Sequence, residues 1–152
     1  VHFNAASARI LKIAKTLKAH KSESAYGVAM GTEYSNFGWG SNSFACNQGF
    51  LLLQAFLISG DKAYVETANS NLDYVLGRNA TTYSFITGFG DKSVKGNCAG
   101  KPYPSALPAK SYIDHKCSYA SNEIAINWNA PFAYLSNGLE AIRTGNFTTF
   151  NK

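Results

Sequence analysis

The fold is decided by residues 43–77, which read SFACNQGFLLLQAFLISGDKAYVETANSNLDYVLG. Apolar side chains recur at helical spacing on both sides of the central Gly60-Asp61 pair, which predicts two helices. Glycine commonly ends one helix and aspartate commonly caps the start of the next, so this pair marks a short connection. The stretch therefore predicts a tight antiparallel helical hairpin.

The first helix of the hairpin, from about Ser43 to Ser59, is expected to be deeply buried because apolar side chains occupy much of its circumference. These side chains are Phe44, Phe50, Leu51, Leu53, Phe56 and Leu57. Cys46 lies in the same pattern and is expected to be a buried free thiol. The second helix is expected to end at Gly77.

Two further helices flank the hairpin. Residues 5–19 place apolar side chains on one face and lysines on the other, as an amphipathic helix does. A final helix is predicted to begin near Asn129 or Ala130, with Pro131 in its first turn, and to end near Gly145. The sequence thus predicts an all-α fold of helical hairpins joined by long Gly- and aromatic-rich loops.

Composition excludes several classes of protein. Of the 152 residues, 45% are hydrophobic, which is too many for a disordered chain. The longest apolar runs fall far short of the roughly 20 residues that a membrane-spanning helix needs. The net charge of +5 comes largely from lysines spread along one predicted helix, which indicates a solvated face. We therefore expect neither a nucleic-acid partner nor a membrane partner.

Cys98 and Cys117 flank a polar, proline-containing loop, where a disulfide could clamp a segment that lacks a core of its own. Such a bridge implies an oxidising compartment, and two free thiols are the alternative. The cysteines and histidines do not have the spacing of metal ligands, so no metal and no cofactor are expected. Sequons at Asn79 and Asn146 permit glycosylation in a eukaryotic secretory host.

The long loops at residues 26–42 and 78–120 suggest a sugar site, because sugar rings stack on aromatic side chains. The loop aromatics are Trp39, Tyr83, Tyr103, Tyr112 and Tyr119. The alternative is that these rings pin the loops to the core.

Two carboxyl groups could serve glycoside hydrolysis, which uses a pair of acids. Glu123 enters an apolar stretch, where burial would raise its pKa and suit a general acid. Asp114 precedes the basic pair His115-Lys116, which would keep it ionised. The alternative makes Glu123 a helix-terminus carboxylate and Asp114 a turn former.

These residues belong to a longer pattern. The segments Tyr112-Ile113-Asp114, Tyr119, Glu123-Ile124-Ala125 and Asn129-Ala130 together resemble the second active-site signature of glycoside hydrolase family 9, the cellulases and related β-glucanases. Three upstream stretches are also similar to that family and occur in its order. They are Phe37-Gly38-Trp39-Gly40-Ser41-Asn42-Ser43, Asp73-Tyr74-Val75-Leu76-Gly77-Arg78-Asn79 and Ser84-Phe85-Ile86-Thr87-Gly88-Phe89-Gly90.

The resemblance implies an (α/α)6 barrel that hydrolyses β-1,4-glucans with inversion. It implies Glu123 as the proton donor and Asp114 as a supporting active-site residue. It places Trp39, Tyr119 and Arg78 near the glucan cleft or the loops that support it. A secreted or extracellular location, or a periplasmic one, is expected for such an enzyme.

The sequence departs from the family in two ways. It contains no Gly-Trp-x-Asp-Ala-Gly-Asp-like segment, so the catalytic base lies outside this chain, and its helices are too few to close a barrel. Residues 1–152 are therefore interpreted as the C-terminal segment of one catalytic domain, with the missing N-terminal portion as a partner.

The second departure follows Gly88-Phe89-Gly90, where the family's Pro-His-His-Arg-type element is absent. Together with the absent base, this supports an alternative function, a non-catalytic glucan-binding or degenerate fragment that keeps the aromatic cleft. A third alternative is a helical interaction domain whose apolar faces dock on a partner chain.

Overall fold

The computed structural model describes residues 2–38, 40–93, 126–147 and 149–150. In chain order the elements are helix α1 (His2–Glu23), a short 3-10 helix (Tyr34–Phe37), α2 (Ser41–Ser59), α3 (Lys62–Val75) and α4 (Ile126–Arg143). Within these ranges there is no strand beyond an isolated bridge between Ser84 and Ser93. The predicted all-α class is confirmed.

Helices α2 and α3 form the predicted hairpin. Gly60 takes the left-handed conformation at φ 75°, and its N–H donates to the carbonyl of Phe56 at 2.7 Å. Asp61 caps α3 by accepting a hydrogen bond from the N–H of Ala63 at 2.9 Å. Each residue does what its type favours at a helix end, which is why the connection was predictable.

The core is organised around α2, which packs against α1, α3 and α4. Its buried residues include Leu52, Leu53 and Ala55, and Leu135 of α4 is buried with them. Cys46 is a buried free thiol, as predicted.

Helix α2 was expected to be deeply buried, but two of its phenylalanines are exposed. Phe44 is 60% exposed and Phe50 is 38% exposed. Phe50 makes an edge contact with Tyr134, at 4.5 Å between ring centroids. The described residues cover this part of α2 only partly. Periodicity identifies the apolar residues of a helix, but it does not show which of them another segment covers.

Helix α4 begins earlier than predicted. It starts at Ile126, so Pro131 lies inside the helix rather than in its first turn. A proline there removes one main-chain hydrogen bond. The turn before it carries Trp128, which packs beside Gly40 at the start of α2, and this contact helps to hold the early turn in place.

None of the described helices combines the length and the apolar character needed to span a membrane.

Candidate functional site

Most of the residues predicted for the site lie outside the described part of the chain. These are Glu123, Asp114, Tyr119, Trp39 and both candidate disulfide residues, Cys98 and Cys117. Arg78 is described, and so are the elements that lead into the other segments.

Three of the predicted segments approach one end of the helical bundle. Helix α3 runs back along α2, which brings Arg78 to the end of the bundle where α2 begins. Helix α4 runs parallel to α2, and Trp128 near its start lies beside Gly40. Glu123 precedes α4 by three residues in the sequence. Arg78, Gly40 and the start of α4 therefore lie at the same end of the bundle.

The loop before α2 is held by a buried tyrosine of α3. The ring of Tyr74 lies 6.2 Å from that of Tyr26 and 6.1 Å from that of Phe37, between ring centroids. Tyr74 is 3% exposed, and burial, with a smaller contribution from Tyr26, raises its pKa to about 12. Its phenol therefore stays neutral near pH 7, and its ring anchors the loop.

A buried amide fixes the same loop through its main chain. Asn71 accepts a hydrogen bond from the N–H of Ala29 at 2.8 Å and donates to the carbonyl of Ala45 at 2.9 Å. On the other side, His20 Nδ1 lies 3.3 Å from the carbonyl oxygen of Ala29. The loop is thus tied to α1, α2 and α3 before it reaches the 3-10 helix.

Asn79 organises the turn that follows α3. Its Nδ2 donates to the carbonyls of Tyr74 and Tyr83 at 2.7 and 2.9 Å, and its Oδ1 accepts from the N–H and hydroxyl of Thr81. The residue is 5% exposed. Asn79 is therefore a structural residue, and a glycan on its amide nitrogen would disrupt the hydrogen bonds to Tyr74 and Tyr83.

The segment after this turn is closed by Lys92. The N–H of Ser84 donates to the carbonyl of Lys92 at 2.9 Å. The Lys92 ammonium donates to Thr81 and Thr82, and it lies 4.2 Å above the ring of Tyr83. Tyr83, one of the loop aromatics considered for sugar stacking, thus has a cation over its ring. This favours the loop-pinning alternative for that residue.

Arg78 turns back along α3. Its Nη2 donates to the carbonyl of Ser70 at 3.1 Å and lies 3.6 Å from the carboxylate of Asp73. The side chain is 48% exposed. The guanidinium is thus fixed on one side and solvent-facing on the other, an arrangement that leaves it able to donate to a bound molecule.

One exposed aromatic residue of this loop was not singled out by sequence reasoning. Tyr34, in the 3-10 helix that leads toward Trp39, is 56% exposed. Its place in the Gly- and aromatic-rich loop is the signal that could have found it. Loop composition alone does not separate exposed rings such as Tyr34 from anchoring rings such as Phe37.

Within the described ranges, no group of three or more histidine, cysteine, aspartate or glutamate side chains is placed to hold a metal ion.

The sequence model of glycosyl hydrolase family 9 matches residues 2–98. The chain belongs to glycosyl hydrolase family 9. The match covers all of α1, α2 and α3 and the turn that Asn79 organises, and it agrees with the resemblance found in the sequence.

Curated family 9 relatives support the assignment. The chain is 36% identical to the xyloglucan-specific endo-beta-1,4-glucanase BoGH9A of Bacteroides ovatus, over 88% of this chain and 27% of that protein. It is 32% identical to endoglucanase D of Acetivibrio thermocellus, over 82% of this chain and 22% of that protein. The chain thus spans about a quarter of the length of these relatives.

Solved family 9 structures share the fold. A Bacteroides ovatus family 9 structure matches with a TM-score of 0.81 and 35% identity, over 90% of this chain and 28% of that one. The family 9 endoglucanase J30 matches with a TM-score of 0.77 and 26% identity, over 88% of this chain and 30% of that one. These neighbours are (α/α)6 barrels, so the prediction that the helices are part of such a barrel is confirmed.

Proposed function

We propose that this chain is the C-terminal segment of a family 9 catalytic domain, and that the whole enzyme hydrolyses β-1,4-glucosidic bonds in cellulose or related β-glucans. The observation that carries the proposal is the similarity over 88% of the chain to a protein named as an endo-beta-1,4-glucanase. The approach of the Arg78, Gly40 and α4 segments to one end of the bundle supports it, because active sites are built from loops gathered on a rigid scaffold.

Glu123 is the proton donor in this proposal. It lies three residues before Ile126, where α4 begins, and the apolar residues Ile124 and Ala125 follow it in the sequence. Burial beside such residues would raise the pKa of the carboxyl group, because desolvation disfavours the charged form. It can then protonate the departing glycosidic oxygen.

The catalytic base is supplied from outside these 152 residues. An inverting glycosidase needs a second carboxylate, about 6.5–9.5 Å from the acid, that activates a water molecule on the opposite face of the sugar. Asp114 has a supporting role in the active site. Trp39 and Tyr119 would stack on sugar rings, and Arg78 would donate to a sugar hydroxyl from its solvent-facing side.

The remainder of the catalytic domain is the partner of this segment. Phe44 and Phe50 leave an apolar side of α2 partly uncovered by the described residues, and apolar area of that kind is stabilised by burial. The relatives are about four times as long as this chain, which is consistent with further helices packing here.

We place the whole enzyme outside the cell or in the periplasm. An insoluble β-glucan cannot reach an enzyme in the cytoplasm. A disulfide between Cys98 and Cys117 would suit an oxidising compartment.

The alternative function, a glucan-binding protein without turnover, is favoured by one observation. The segment after Gly88 returns directly to Lys92, whose contacts with Thr81 and Thr82 close a short loop without histidine or arginine.

The two functions are separated by titrating the full-length protein with cello-oligosaccharides and measuring reducing ends in parallel. Product whose new anomeric centre is inverted, followed by NMR, supports the hydrolase. Saturable binding without product supports the alternative.

A further inference from the structure

Helix α1 holds most of the net positive charge of the chain. Its 22 residues include five basic side chains and one acidic side chain, a net charge of +4 against +5 for the whole chain. The basic residues are Arg9, Lys12, Lys15, Lys18 and Lys21, and the acid is Glu23. They follow one another every three residues, so the charge forms a band that winds by about 60° per step around the helix, and Arg9, Lys12 and Lys15 lie within about 120° of one another.

Most of this band is not neutralised by the described residues. Lys18 pairs with Asp61 at 3.1 Å, but Arg9, Lys12 and Lys15 form no ion pair with any described acid. Their neighbours one turn away are alanine, isoleucine, threonine, leucine or another base. Like charges at this spacing destabilise a helix rather than support it, so the band has no evident structural purpose.

The band faces solvent. Arg9, Lys12 and Lys15 are exposed, whereas Ala14 and Leu17 on the opposite side of α1 are buried in the core. Leaving these charged groups unpaired costs little while the face is hydrated, as it is in the described part of the chain. The exposed side chains around the cations are small, so this surface of the helix is nearly flat. They are Ala5, Ala8, Thr16 and Ala19.

We propose that the basic face of α1, defined by Arg9, Lys12 and Lys15, binds an acidic polysaccharide of the polyuronate type. The choice of a polysaccharide rests on the proposed function, in which the enzyme acts on a polysaccharide outside the cell or in the periplasm. A polyuronate presents one carboxylate per sugar. Successive cations lie about 4.5 Å apart along the helix axis, so they can contact several carboxylates of one polymer at the same time. The long-range attraction raises the local concentration of enzyme on the polymer.

Two other anionic partners fit this face less well. Single-stranded nucleic acid is bound by basic grooves that also carry stacking rings, and residues 9–21 contain no Phe, Tyr or Trp. A membrane-surface helix must insert its apolar side into lipid, but the apolar side of α1 is already packed against α2 and α3.

The test compares two double variants of the full-length enzyme that lose the same charge. Lys12→Gln/Lys15→Gln removes the centre of the band, and Lys62→Gln/Arg143→Gln removes two exposed cations elsewhere. Glutamine has nearly the same helix propensity as lysine and arginine, so both variants should fold, which circular dichroism checks.

Binding to polygalacturonate is measured at several salt concentrations. We expect the α1 variant to bind about tenfold more weakly at low salt, with a shallower salt dependence, and the control variant to bind like wild type. Hydrolysis of a neutral glucan should be unchanged in both.

Three results would overturn the inference. They are equal weakening in both variants, no polygalacturonate binding by the wild type at low salt, and tighter binding to single-stranded DNA or to phosphatidylglycerol vesicles than to polygalacturonate. Loss of glucan hydrolysis with polygalacturonate binding intact would count against the proposed function alone, so the two failures are distinguishable.

Discussion

Leu135 of α4 lies directly over the bare main chain of Gly49 in α2. A Cβ atom added at Gly49 would fall 2.6 Å from Leu135 Cδ2, well inside contact distance. The relationship is reciprocal, because a Cβ at Gly138 of α4 would fall 2.7 Å from Leu53 Cδ1 of α2. Each helix thus seats a leucine in the gap left by the other's glycine. This fixes the close parallel contact that carries the start of α4 to the start of α2.

We predict that Gly49→Ala lowers the free energy of unfolding by about 1–3 kcal/mol, because overpacking outweighs the roughly 1 kcal/mol that alanine gains in helix propensity. Urea unfolding measures the change. Gly38→Ala is the matched control, since a Cβ there meets only the Ser35 carbonyl at 3.5 Å and the glycine has a negative φ. Equal effects of the two substitutions would show that Leu135 does not occupy the gap at Gly49.

Asn79→Ala should destabilise the protein by about 2–3 kcal/mol, because it leaves the carbonyls of Tyr74 and Tyr83 without their buried donor. Asn69→Ala is the comparison, since Asn69 is exposed and makes one long hydrogen bond, to Asp73 at 3.4 Å. Thermal unfolding of both variants checks the difference. Indistinguishable melting temperatures would contradict the structural role given to Asn79.

Glycosylation in a eukaryotic secretory host is a second test of the burial of Asn79. In the folded, secreted protein we expect a glycan on Asn146, which is exposed, and none on Asn79, because a chain glycosylated there before folding could not form the two internal hydrogen bonds of the Asn79 amide nitrogen. Peptide mass spectrometry with and without glycosidase treatment reads both sites. A glycan on Asn79 of the folded protein would mean that the turn after α3 opens.

Because the thiol of Cys46 is buried, we predict that the free energy of unfolding decreases in alkali. Burial raises its pKa from 9.0 to about 12, so the folded state holds this proton where the unfolded state releases it. The protonated thiol contributes fully to the free energy of unfolding below pH 9. This contribution decreases as the pH rises from 9 toward 12, by at most about 1.4 kcal/mol per pH unit. Urea unfolding of wild type and Cys46→Ala between pH 8 and pH 10.5 should show a shallower alkaline slope in the variant. Parallel slopes would contradict the burial of the thiol.

Much of the fold was predictable because it rests on local chemistry. Gly60 and Asp61 act at the helix ends as their residue types favour, and the periodicity around them defines α2 and α3. The exposure of Phe44 and Phe50 was not predictable, because periodicity identifies an apolar side but not whether a neighbour covers it. The burial of Asn79 depends on carbonyls that only the folded turn brings together.

The candidate site stays a prediction from the sequence for every residue except Arg78, whose position the structure describes. The signature containing Asp114, Tyr119 and Glu123 is read from fixed spacing, and these residues lie outside the described ranges. For Arg78 the structure shows the contacts to Ser70 and Asp73 that orient the guanidinium, and these could not be read from the spacing of residues in the sequence.

The measurement that bears most directly on the proposed mechanism is kcat/KM for β-glucan hydrolysis by the full-length enzyme carrying Glu123→Gln. Glu140→Gln is its control, since Glu140 is an exposed acid on α4 that pairs with Arg143. If Glu123 delivers the proton, kcat/KM falls about 10²–10⁴-fold in the first variant and stays near wild type in the second. Activity of Glu123→Gln within about twofold of wild type, well short of the loss expected for a general acid, would contradict that role.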